Sequence, residues 1–289
     1  MAEAALSVAV GLAQPLGARL TLLHVQERSA PRTVHGQPHL QDPGAAEVYL
    51  KSLAERWEAT GVPIDWHVHF AEQGDVAKSI VDHAVEMGAD WIVLTTHGSG
   101  GLRDLLFGSI AQQVVRRCSI PTLVVRPPAT GPAEEYRCRS ILVPLDGTSE
   151  AEVVLQIADE IAAATGARLT LASVVPTRET ASGDLAVSAT FSPTATAAVL
   201  DLAESEAGRY LEDKANALRE GGDLVRTSVS RGKTAQQLAA VAEQNQADLM
   251  IIATHGKAGL DGTFSGSVAP RILAEFHQPV LLVRIPTAD

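Results

Sequence analysis

The chain is one folding pattern written twice, and that repeat constrains it more than any other feature. The block GARLTL runs from Gly17 to Leu22 and returns from Gly166 to Leu171, 149 positions on. Later, ADWIVLTTHG from Ala89 to Gly98 answers ADLMIIATHG from Ala247 to Gly256, and PTLVVR from Pro121 answers PVLLVR from Pro279, both pairs 158 apart. A repeat at near-constant offset makes 289 residues two domains of ordinary size rather than one large one. The step from 149 to 158 gives the second copy nine extra residues. The polar stretch from Pro176 to Thr196, opposite Ser29 to Ala46, is the place where a loop of variable length is expected.

Within each copy, short β-branched runs alternate with longer helical stretches, the pattern of a parallel sheet covered by helices on both faces. In the second copy the strands read SILVPLD from Ser140, RLTLASV from Arg168, VRTSVS from Val225, DLMIIAT from Asp248 and VLLVR from Val280. Its first helix is expected over Glu150 to Thr165, with Val154, Leu155, Ala158, Ile161 and Ala162 on one face and Gly166 as the terminating glycine. The Pro-rich, acidic stretch from Pro127 to Glu135 reads as a connection, which gives units 1–128 and 138–289 with a linker over 129–137. Met1 aligns with Glu150, so the first copy starts inside its first helix and lacks a counterpart of SILVPLDGTS. The fold class is therefore α/β: two tandem, doubly wound, Rossmann-like sheets of five parallel strands, the first without its N-terminal strand. The sound patterning of the rest of that copy favours a missing upstream segment over a decayed domain.

Composition narrows the partners. A formal charge of −11 with no Lys/Arg stripe excludes a nucleic-acid backbone as the expected partner. Two cysteines, Cys118 and Cys138, are too few for a disulfide framework and form no Cys-x-x-Cys pair, so both are read as free thiols. The opening MAEAALSVAVGLA carries Glu3 where a secretory leader needs positive charge, and no apolar run approaches the ~20 residues of a membrane span. A cytoplasmic protein is expected, without a membrane partner.

Both copies carry the same turn after the fourth strand: Thr-His-Gly, nine residues, then Gly-Ser, as Gly98 to Gly108-Ser109 and Gly256 to Gly266-Ser267. Glycine at a strand end admits close approach of backbone to a ligand. Gly-Ser ahead of a helix offers a capping hydroxyl and free N–H groups at the positive end of the helix dipole, where phosphate binds. The second copy adds Pro144-Leu145-Asp146-Gly147-Thr148 at the end of its first strand. A carboxylate there suits hydrogen bonds from an adenine amine or a ribose hydroxyl. The site then has a base end and a phosphate end.

Taken together, VPLDGT near the start of a copy and THG-x9-GS before a helix resemble the universal stress protein family, in its tandem form and ATP-binding subgroup, over nearly the whole chain. The resemblance implies an adenine nucleotide α-hydrolase-like sheet. It implies ATP with Mg²⁺ as the ligand, bound at its adenine end by Asp146 with Pro144 and Val174 nearby, and at its ribose and phosphates by Gly256, Gly266, Ser267 and Val268. The family pattern G-x2-G-x9-G-(S/T) has Ala253 in place of its first glycine here and Thr95 in the first copy. Gly98, Gly108 and Ser109 keep the phosphate side of the first copy, but Asp146 has no twin, so that copy is expected to bind ATP weakly or not at all. The family's final strand implies pairing of PTLVVR with PVLLVR between the copies, and a homodimer is a further expectation.

Two near-matches are set aside. Arg231-Gly232-Lys233-Thr234 resembles the end of a P-loop but has Thr227 where the nest-forming glycine belongs, and Ser99-Gly100-Gly101-Leu102-Arg103-Asp104 follows the fourth strand rather than the first. His97 and His255 are read as turn residues, Lys257 as an exposed cation, and no Glu, His or Cys cluster at ligand spacing is visible, so no protein-held metal is expected. The expected function is a nucleotide-responsive stress or regulatory protein acting on an unidentified protein partner. A slow ATPase or adenylyl-transferring enzyme, a non-nucleotide scaffold and a flavin carrier are the alternatives.

Overall fold

The computed structural model describes residues 3–27, 33–34, 37–38, 42–71, 75–96, 109–127, 135–181, 183, 187, 191–222, 224–254 and 268–285. The chain divides into two compact units, Met1–Arg137 and Cys138–Asp289. No helix among the described residues is long and apolar enough to cross a membrane.

The first unit contains α1 (Ala4–Leu16), β1 (Leu20–Glu27), a two-residue hairpin of β2 (Thr33–Val34) with β3 (Gln37–Pro38), α2 (Pro43–Trp57), β4 (Ile64–Ala71), α3 (Val76–Glu86), β5 (Ile92–Thr95), α4 (Ser109–Arg117) and β6 (Thr122–Val125). The second contains β7 (Ser140–Pro144), α5 (Val153–Thr165), β8 (Arg168–Val175), α6 (Pro193–Glu220), β9 (Val225–Arg231), α7 (Thr234–Gln244), β10 (Leu249–Thr254), α8 (Val268–Glu275) and β11 (Val280–Arg284).

The second unit is the complete one. Its five strands are parallel and lie in the order β11-β10-β7-β8-β9. The chain runs outward from β7 through β8 to β9, then returns past β7 to β10 and continues the other way to β11, the double winding expected from the sequence. Ile141, Leu142, Leu169, Leu171, Leu249 and Met250 have no exposed surface, because strands covered on both faces need apolar residues at every position. Helix α5 lays Val154, Ala158, Ile161 and Ala162 on the sheet at helical spacing and ends at Gly166, whose φ of +70° a side chain would oppose. It begins at Val153 rather than Glu150, since residues 149–152 form the turn that precedes it. At the opposite edge, Asp248 Oδ2 accepts from the amides of Arg139 and Ser140, fixing the entry of β7 beside β10.

The first unit is built differently among its described residues. β1 pairs with β4, and β5 with β6, both in parallel. Among the described residues, no strand of the unit joins these two ladders, whereas β7 joins β8 to β10 in the second. The apolar core divides accordingly. One cluster gathers Leu6, Val10, Leu50, Leu53 and Val62 around β1 and β4, the other Ala77, Ile92, Val114 and Cys118 around β5 and β6. Helix α1 touches β1, β5 and β6 and is buried at every position from Ala5 to Val10, without the one-sided stripe of α5. At Gly11 the helix meets the backbone of Tyr136: a Cβ there would lie 2.3 Å from the Tyr136 carbonyl oxygen.

The sheet register also corrects the expected insertion. Leu20 pairs with Ile64 and its counterpart Leu169 with Val225, so by the third strand the offset has grown from 149 to 161. It falls to 158 at Val76 and Thr234, where the first unit has the longer connection. The extra length of the second unit is largely helix rather than loop: α6 has 28 residues against 15 in α2, and it starts at Pro193, inside the stretch read as irregular. Proline at the first helical turn is compatible with a helix start.

Candidate functional site at the carboxyl edge of the second sheet

Because the strand that follows β7 lies on one side of it and the strand that follows β10 lies on the other, the strand order reverses between these two neighbours. The crevice between them is the place where doubly wound sheets take ligands. Pro144 ends β7, Leu145 is buried with its amide donating to the Ala172 carbonyl at 2.8 Å, and Asp146 follows on the surface. Gly147 has a φ of +88°, a left-handed conformation that turns the chain sharply after the carboxylate. Asp146 Oδ1 accepts from the Thr148 amide at 3.0 Å and from its hydroxyl at 2.6 Å. The side chain is thereby held in one orientation.

On the neighbouring strand, Ala253 is half-buried on β10 beside Val283, and Val268 is the exposed first residue of α8. Val174, half-buried near the end of β8, pairs with Ser230. Five sequence-predicted positions, Pro144, Asp146, Val174, Ala253 and Val268, thus fall on strand ends or the helix start at one edge of the sheet. Gly256, Gly266, Ser267, His255 and Lys257 lie outside the described residues, as do Gly98, Gly108 and His97 in the first unit. Ser109 is the first residue of α4. None of the described residues of the first unit corresponds to Asp146.

Beside Asp146, the structure shows a cluster that spacing did not reveal. The Tyr210 hydroxyl on α6 donates to Glu152 Oε1 at 3.1 Å, and Lys214 Nζ reaches Glu152 Oε2 at 2.7 Å. Burial, and then the Glu152 and Asp146 carboxylates, push the Tyr210 hydroxyl well above the usual phenol range, so it stays a donor. The first unit repeats the contact: Tyr49 on α2 donates to Glu3 Oε1 at 2.6 Å, with Arg56 on Glu3 Oε2 at 2.7 Å. Tyr49 is likewise raised by burial and by Glu3, while its hydrogen bond lowers the Glu3 carboxyl. The two partners lie 46 residues apart in one unit and 58 in the other, too far for a local motif to expose them.

The Arg231-Gly232-Lys233-Thr234 segment is occupied structurally. Arg231 bridges Asp201 and Glu204 of α6 at 2.6 Å each, and Lys233 precedes the first residue of α7. Contrary to the expectation that no ligand cluster is present, His67 and His69 on β4 and His83 on α3 come together, with one ring nitrogen from each within 4.8 Å of the others. The two elements meet only in three dimensions.

Residues 1–126 and 138–284 each match the model of the universal stress protein family. A universal stress protein of Methanocaldococcus jannaschii is 32% identical over 91 residues, which span 32% of this chain and 54% of that protein. The universal stress protein YxiE of Bacillus subtilis is 30% identical over 138 residues, 44% of this chain and 91% of that one. A crystal structure of a universal stress protein from Archaeoglobus fulgidus superposes with a TM-score of 0.68 at 16% identity, covering 99% of this chain and 96% of that one, and so shares the tandem fold.

Proposed function

The chain belongs to the universal stress protein family, and from that premise we propose that its second unit binds ATP with Mg²⁺ and that the protein acts as a nucleotide-responsive regulator in the cytoplasm. One observation carries the reading. Asp146 follows β7 where the strand order reverses between β7 and β10, pinned by Thr148 through one oxygen, while its other oxygen can accept from adenine or ribose. Ala253 leaves room on the facing strand, and the start of α8 places a positive helix end on the same edge for the phosphates. The carboxylate keeps the base end acidic and the helix keeps the phosphate end electropositive, so the nucleotide has one orientation. Binding and a change of conformation or partner, rather than rapid turnover, follow from a sequence without a paired nucleophile and base.

Isothermal titration with Mg-ATP tests this. One nucleotide per chain is expected, because Asp146 has no counterpart in the sequence of the first unit. Asp146→Ala should weaken binding by roughly 10- to 100-fold, the worth of a hydrogen bond to a charged group. No binding by the wild type, or equal binding by the variant, removes Asp146 from the site.

A further inference from the structure

The first unit holds an arrangement that nucleotide binding does not use. Along β4 the side chains alternate: Ile64, Trp66 and Val68 pack on the apolar cluster under α1 and α2, so His67 and His69 stand together on the opposite face. Helix α3 presents His83 to that face. Its imidazole centroid lies 4.1 Å from that of His69 and 5.2 Å from that of His67, and His83 itself is buried. We propose that His67, His69 and His83 form a binding site for a divalent transition-metal ion of the zinc type.

Three observations favour a metal over mere ring packing. The donor set is three imidazoles, the ligand type suited to Zn²⁺ and its neighbours and unsuited to Mg²⁺ or Ca²⁺. Its nitrogens already lie within 4.8 Å of one another, and zinc bonds of ~2.0–2.1 Å require them to close to roughly 3.3 Å, within the reach of small side-chain rotations. The most buried ligand is also oriented. His83 Nδ1 lies 2.9 Å from the Ser79 carbonyl, which can only accept, so Nδ1 carries the proton and Nε2 is the ligand atom. Such a hydrogen bond behind a ligating imidazole fixes its tautomer and ring plane.

The set is particular to this unit and this face. His24 pairs with Val68 and lies on the other side of the sheet. In the second unit the register places Ser228 and Ser230 where His67 and His69 stand, and Val241 corresponds to His83. Three protein ligands leave the fourth tetrahedral position to water or a small anion, and His67, the exposed member, opens it to solvent.

The test is titration of the purified full-length chain with Zn²⁺ alone, in the absence of nucleotide, against a competing chromophoric chelator. Co²⁺ then serves as a spectroscopic probe of tetrahedral coordination. One Zn²⁺ per chain is expected, with affinity falling by about 100-fold or more in His67→Gln and in His69→Gln and the visible Co²⁺ bands lost in both. Both substitutions leave buried His83 in place, so folding is retained, and circular dichroism checks it. His277→Gln, at an exposed site of the second unit, should change nothing. Absence of Zn²⁺ binding, or binding and Co²⁺ spectra unchanged in the His67 and His69 variants, overturns the assignment. Because ATP is not present, the outcome is independent of the nucleotide site.

Discussion

At the scale of single residues, the phenol–carboxylate pairs make a prediction in pH. The Glu3 carboxyl is lowered in the fold, chiefly by the Tyr49 hydrogen bond, so its contribution is present above the unfolded value of ~4.3 and lost as pH falls through the folded pKa. The Tyr49 and Tyr210 hydroxyls are raised, first by burial, so theirs is present below ~10 and lost as pH climbs toward the folded value. The urea midpoint should therefore be level between these limits and fall on either side. A Tyr49→Phe/Tyr210→Phe double variant should start lower and lose most of the alkaline decline, and an alkaline arm as steep as the wild type's would refute the assignment. The turn at Asp146 is legible in the sequence because Pro144-Leu145-Asp146-Gly147 is short and local. The two tyrosine contacts are not, because each glutamate lies 46 or 58 positions from its tyrosine.

At the scale of elements, legibility followed the range of the forces involved. Strands β7, β8, β10 and β11 were readable because burial on both faces leaves continuous apolar runs, and α5 because Val154, Ala158 and Ile161 repeat at helical spacing. The start of α6 was missed because its first turns are Thr- and Ala-rich and largely exposed, with little apolar stripe to mark them. The histidine cluster was missed because β4 and α3 come together through tertiary packing that no local spacing records. Helix α1 offers a sharp test of how closely the first unit is packed. Gly11→Ala would drive a methyl group into the Tyr136 carbonyl, a backbone atom that cannot rotate away. A loss of about 1–3 kcal/mol is expected, measured by chemical denaturation, and an unchanged midpoint would show that residues near Tyr136 shift freely.

At the scale of the whole molecule, the two units are unequal in cohesion. One has a continuous five-stranded sheet, the other two separate ladders with a divided core. Differential scanning calorimetry should resolve two transitions, the lower from the first unit. Mg-ATP at a hundred times its dissociation constant should add ~2.7 kcal/mol to the upper transition and leave the lower in place. A single transition, or equal displacement of both, would contradict that division. The tyrosine–glutamate contact also carries a chronology. It survives in both units although its partners are 46 residues apart in one and 58 in the other. A contact kept at two different spacings is one that a single-unit precursor would already have held, while the three histidines distinguish one unit from the other.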